Sequence, residues 1–154
     1  MTDIPLRLLD YDVEKTPILG GPLYQGYRQF IAGRPEVCRS IIAGYLVSVY
    51  LLRPQEQSTE RFVREIYRER GLEMPLLRIL QDAGIILLAA ERRYQRLHWP
   101  VVESIVRDGY NPGPGPAPIT LRKKDGRYLV GDGKNRCSIL AALGWEILPQ
   151  AEVC

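Results

Sequence analysis

Residues 128–144, YLVGDGKNRCSILAALG, constrain the fold more than any other stretch. Tyr128, Leu129 and Val130 are strand-favouring types. Ile139, Leu140 and Leu143 fall at helical spacings of three and four. A single Gly-Asp-Gly turn separates the two patterns. A chain that passes this directly from strand to helix must build a sheet with a helix packed on it.

The charge at this junction runs against local rules. The positive end of a helix dipole favours acidic side chains, yet Lys134 and Arg136 stand where the helix begins. Left unanswered, each cation costs a few tenths to ~1 kcal/mol. Arg136 also shares the stripe of Ile139, Leu140 and Leu143, which puts it at the edge of the buried face. Two readings are open. In one, Asp132 pairs with Arg136 and Lys134 is simply solvated. In the other, the turn amides of Gly131 and Gly133, the helix N-terminus, Lys134, Asn135 and Arg136 form a receptor for a phosphate or carboxylate. The turn is neither a P-loop, which needs GxxxxGK[ST], nor a dinucleotide fingerprint, which needs GxGxxG.

The rest of the chain gives a helical first half and a mixed second half. Pro22 and Gly33 bound one helix, Pro35 and Pro54 a nearly all-apolar second, with a strand as the alternative over Tyr45–Leu52. A third runs from a Ser58 or Thr59 cap to Gly71, with Phe62, Val63, Ile66 and Tyr67 inward. MPLLRILQDAG suggests a short fourth. GIILLAA, from Gly84, reads as a strand, and WPVVESIVRDG as a helix ending at Gly109. YNPGPGPAP is irregular. ITLRKKDGRYLVG reads as a hairpin turned by Asp125-Gly126, and WEILPQAEV as a last strand. The expected fold class is α/β: a small mixed sheet with packed helices, preceded by a helical N-terminal layer. That layer spans residues 1–83 and the sheet domain 84–154, together one compact unit.

Composition excludes several function classes. Three cysteines, Cys38, Cys137 and Cys154, form no CxxC pair, and His98 is the only histidine, so neither a disulfide framework nor a structural zinc site is expected. The net charge of +3 is too mild to argue for nucleic acid as a partner. No basic start followed by an apolar run marks a signal peptide. The longest apolar run, Ile41 to Leu52, falls short of the ~20 residues that span a bilayer, so a membrane partner is not expected and the cytoplasm is the default location.

From Ser104 onward the chain resembles the ParB/sulfiredoxin-like superfamily. The matching pieces, in order, are Ser104-Ile105, Gly109, Pro118-Ile119, Asp125-Gly126, Asp132-Gly133 with Arg136, Leu143-Gly144 and Leu148-Pro149. The resemblance covers roughly the last third of the chain, extending back toward Gly84. It implies that the turn binds nucleotide phosphates. Sulfiredoxins carry a nucleophilic cysteine two residues before the arginine, where this chain has Lys134. Cys137 follows the arginine and is expected to turn away. ParB partition proteins bind CTP and continue into a helix-turn-helix, whereas this chain ends at Cys154, so centromere binding is not expected. The turn is most similar to that of the free-serine kinases of this superfamily, which read Asp-Gly-His-Thr-Arg, against Asp132-Gly133-Lys134-Asn135-Arg136 here. That likeness implies a nucleotide-dependent kinase of a small metabolite. ATP, ADP or CTP would be the nucleotide, Asp132 would help place Mg²⁺, and Glu91, following GIILLAA as the kinases' base follows their first strand, would be the base. The competing readings are a regulatory module that senses nucleotide or associates with DNA without turnover, and, third, a ParB-like nuclease. Elsewhere, Ser104 is a candidate ligand contact beside Glu103 on a polar helix face. Arg122-Lys123-Lys124 form a charged hairpin tip.

Overall fold

The computed structural model describes residues 2–12, 15–50, 60–71, 83–111 and 118–154. Two compact units make up the chain. One contains residues 1–41 and 101–154, the other residues 42–100.

The first unit is built on a five-stranded mixed sheet. Asp125 and Gly126 both adopt left-handed backbone, with φ of 52° and 77°, which is what a tight two-residue hairpin turn requires. They join β3 (Thr120–Lys124) to β4 (Arg127–Asp132), as the sequence led us to expect. The last strand, β5 (Ile147–Val153), runs parallel to β3.

The start of the chain departs from expectation. Expected within the helical layer of residues 1–83, it forms two strands instead: Thr2–Pro5 is β1 and Leu9–Tyr11 is β2. Strand β1 pairs antiparallel with β5, and β2 pairs parallel with β4, giving the order β1-β5-β3-β4-β2. The N-terminal segment therefore supplies both edges. In a flat sheet those edges would stand four spacings, roughly 19 Å, apart. Only the 3-10 turn Leu6–Leu8, rising about 2 Å per residue, connects them, so the sheet must curl until its edges approach. Ile4, Leu6, Leu9 and Tyr11 are all buried. Their two-residue alternation breaks at the 3-10 turn, which hid it as a strand signal. Arg127 closes one edge, donating from Nε and a terminal nitrogen to both carboxylate oxygens of buried Asp10 at 2.9 and 2.8 Å.

Helix α1 (Pro22–Ile31) begins at the expected proline and packs on the helix that follows β4. Helix α2 (Pro35–Tyr50) buries Cys38, Ile42, Tyr45, Leu46 and Val49, a single helical stripe, while Val37 and Val47 are exposed. It is thus helical through Tyr45–Tyr50, where a strand was the alternative, and the apolar composition had overstated its burial.

In the second unit, α3 (Glu60–Glu69) and α4 (Ala83–Arg93) share a core of Phe62, Val63, Ile66, Tyr67, Ile85 and Ala89. The inward residues of α3 are the expected ones. GIILLAA, expected as a strand, is helical instead. Ile85, Ile86, Ala89 and Ala90 are buried and Leu88 is exposed, a helical stripe that an unbroken apolar run conceals. A π-turn, Tyr94–His98, leads from α4 into α5 (Trp99–Asp108). The expected MPLLRILQDAG helix lies largely outside the described residues. Among the described residues, no helix is long and apolar enough to cross a membrane.

Candidate functional site

The turn after β4 is shorter than a loop. Strand β4 ends at Asp132, and α6 (Lys134–Ala142) begins two residues later, with Gly133 alone between them. Gly133 has φ of 106°, a conformation that side chains resist. A Cβ there would also stand 2.8 Å from Ile119 Cγ1. Ile119 is fully buried, so it cannot swing aside. Gly131 differs: a Cβ would make only ordinary contact with Thr120, at 3.8 Å. Of the two turn glycines, Gly133 is the one the geometry demands.

With glycine as its N-cap, α6 carries no capping side chain. No acidic residue lies in its first turn, which holds Lys134 and Arg136. The first intrahelical bond of the helix runs from Cys137 N–H to the Gly133 carbonyl, at 2.9 Å. The first-turn amides thus point along the axis, out of the N-terminus.

Arg136 lies at the buried edge, as its place on the apolar stripe required, with its side chain 11% exposed. Asp132 is 74% exposed and its carboxylate stands 3.8 Å from the guanidinium. An ion pair that long, with one partner in solvent, contributes little.

Asn135 has a different job from the one its sequence position suggested. Its side chain is buried, and its Oδ1 accepts a 2.6 Å hydrogen bond from the Tyr27 hydroxyl on α1. What Asn135 can offer a ligand is its backbone N–H, while its side chain ties the first turn of α6 to α1. Ser138 Oγ donates to the Lys134 carbonyl at 2.7 Å and reinforces the same turn. Tyr27 sits in YQGYRQF, 108 residues from its partner, a pairing that no local pattern signals.

Cys137 faces the interior with no exposure, and burial pushes its thiol up to about 12. It turns away from the N-terminus as expected and is a poor nucleophile at neutral pH. Half-buried Tyr110, in the loop after α5, also lies in the field of Arg136. Burial raises its hydroxyl pKa and the guanidinium opposes that rise.

Gly131, Asp132, Gly133, Lys134, Asn135 and Arg136 thus stand together at the β4–α6 junction of the first unit. Glu91 lies on α4 in the second unit, exposed to solvent, and the strand that was to precede it is a helix. Ser104 is half-buried and Glu103 exposed on α5. At the hairpin tip, Arg122 is engaged by Asp12 at 3.0 Å.

Among the described residues, no three metal-ligating side chains come together. The donor set at the turn is a single hard carboxylate, Asp132. That suits Mg²⁺ only as an ion carried by phosphate oxygens with one protein ligand. Comparison of the chain with protein-family models, with curated proteins and with solved structures finds no match.

Proposed function

We propose that the protein binds a nucleoside di- or triphosphate through its phosphates at the Gly131–Arg136 turn, in support of phosphoryl transfer to a small metabolite. One observation carries the reading. An α-helix begins at an uncapped left-handed glycine, its first turn holds two cations and no acid, and the side chain of one, Arg136, is only 11% exposed. A lysine and an arginine in the first turn of a helix, beside its outward-pointing amides, suit a phosphate, which both the cations and the amides can meet.

In this reading Lys134, Arg136 and the first-turn amides hold phosphate oxygens. Gly133 lets the ligand approach the backbone, and Asp132 ligates a phosphate-borne Mg²⁺. Such an ion would neutralise charge building on the transferring group. ATP, ADP and CTP are the candidate nucleotides. Glu91 was singled out by a strand that is in fact a helix, so its role as base rests on turnover: activity retained in Glu91→Gln removes it.

Calorimetry and thermal shift with ATP, ADP, CTP and GTP test the binding. A ligand at 100 times its dissociation constant adds about 2.7 kcal/mol of stability. The paired substitution Lys134→Ala with Arg136→Ala should weaken binding by about 100-fold or more, since each charged hydrogen bond contributes roughly 1.5–3 kcal/mol. Equal binding by wild type and the paired variant would sink the reading.

A further inference from the structure

Two aromatic side chains meet beside α6, and the chain delivers them in the same way. Helix α5 is stopped by Gly109, with φ of 85°, and Tyr110 follows. Helix α6 is stopped by Gly144, with φ of 90°, and Trp145 follows. At the second stop, Gly144 N–H donates to the Ala141 carbonyl and Trp145 N–H to the Leu140 carbonyl, each at 3.0 Å. Left-handed glycines thus fix both backbones, and the two rings pack edge to face with centroids 6.0 Å apart and an 81° interplanar angle.

A helix stop of this kind commonly places an apolar residue against its own last turn. That accounts for an apolar side chain after Gly144. It accounts less well for an indole that remains 39% exposed when a leucine would complete the contact. In an edge-to-face pair, moreover, the ring that presents its edge keeps both its faces uncovered by its partner.

The turn and Trp145 stand at the two ends of one helix. Helix α6 has nine residues, so its ends lie about 13 Å apart. Trp145 stands at the C-terminal end and Arg136 in the first turn. Tyr110 bridges them, its ring against Trp145 and its hydroxyl within the field of Arg136. That span is comparable to the reach of an extended nucleoside polyphosphate.

We propose that Tyr110 and Trp145 form a stacking platform for the base of the nucleotide whose phosphates the α6 turn receives, an inference that rests on the phosphate reading above. The platform offers π faces and one phenol. It would therefore select for an aromatic base of either size more strongly than for a particular hydrogen-bonding edge. The Tyr110 hydroxyl, held protonated at neutral pH, can donate to a ribose or base acceptor.

The test measures affinities of the full chain for inorganic tripolyphosphate, ATP, CTP, adenosine and cytidine by calorimetry. The quantity read is the ratio of nucleotide to tripolyphosphate affinity. The wild type should prefer nucleotides by roughly tenfold or more. Trp145→Leu, which keeps an apolar residue at the helix stop, should bring that ratio close to one. Trp145→Phe should restore part of it, and Tyr110→Leu should lower it, with melting temperatures reporting that each variant is folded. Tripolyphosphate binding as tightly as nucleotides, or a ratio unchanged in Trp145→Leu and Tyr110→Leu, would overturn the platform and leave the phosphate reading standing. Nucleosides binding without any phosphate preference would do the reverse. Failure of every compound to bind would overturn both.

Discussion

Arg136 in the first unit is placed differently from Arg92 and Arg96 in the second. In the second unit Arg92 makes a bidentate pair with Glu69, at 2.9 and 2.8 Å, and Arg96 meets Glu65 at 2.8 Å while lying over the Phe62 ring. These pairs link α3 to the helical run that carries α4. They are solvent-exposed, and each charge has a carboxylate at hydrogen-bonding distance. In the first unit Arg136 is more deeply withdrawn, and the carboxylate of Asp132 is at 3.8 Å. A surface arginine with a close partner explains itself as solvation and helix pairing. The withdrawn arginine differs in place as well as in burial, because it stands in the first turn of a helix, beside the amides of the N-terminus.

Glycine substitution breaks this comparison most sharply. Gly133 and Gly71 both have positive φ, at 106° and 69°. Among the described residues, a Cβ at Gly71 meets nothing within 4 Å, whereas at Gly133 it meets Ile119 at 2.8 Å. Gly71→Ala should cost about 1 kcal/mol, for backbone strain alone. Gly133→Ala should cost about 2–4 kcal/mol, because overpacking adds to the strain. Urea denaturation of both variants checks the difference, and equal costs would mean that Ile119 yields easily.

A smaller effect is expected from the hydroxyl that anchors the turn. Tyr27→Phe leaves the buried Asn135 Oδ1 without its 2.6 Å donor, at a cost of about 1–3 kcal/mol. If Asn135 holds the first turn in place for a ligand, nucleotide affinity should fall as well. Loss of stability with affinity untouched would confine the pair to a structural role.

The buried thiol predicts an alkaline limit. Cys137 has its pKa raised from 9.0 to about 12 in the folded protein. Above pH 9 the unfolded chain has released this proton and the native chain has kept it. The unfolded state then binds fewer protons, so stability is intact below pH 9 and declines between there and about 12. The slope approaches roughly 1.4 kcal/mol per pH unit. At neutral pH a thiol reagent should label exposed Cys154 and spare Cys137 until the protein unfolds. Rapid labelling of Cys137 in the native protein would contradict its burial.

The smallest effect belongs to the exposed pair. The Arg92 hydrogen bond and charge lower the pKa of Glu69. Its contribution is therefore present above the unfolded carboxylate pKa and fades as pH falls through the lower folded value. Arg92→Ala should leave nucleotide affinity unchanged and shift the denaturation midpoint barely, less still in high salt. A large shift would show that the contrast with Arg136 had been drawn too strongly.

Much of the first unit was legible because its signals are local. Asp125-Gly126 specifies its turn through backbone conformation, and Gly109 and Gly144 stop helices in the same way. The apolar stripe of α6 by itself places Arg136 at a buried edge. Two segments misled for opposite reasons. GIILLAA is so uniformly apolar that periodicity carries no information about which face is buried. TDIPLRLLDY carries alternation, but a phase break at the 3-10 turn conceals it, and its strands exist through pairing with β4 and β5.

The sequence by itself thus determined the strand–glycine–helix junction and the cations placed on it, since backbone conformation and helix periodicity act over a few residues. Only the tertiary structure decided which groups answer that junction. Tyr27 reaching Asn135, Ile119 filling the space over Gly133, and Tyr110 meeting Trp145 are contacts between segments far apart in the chain. They depend on tertiary packing, such as that of α1 on α6, which no local pattern encodes.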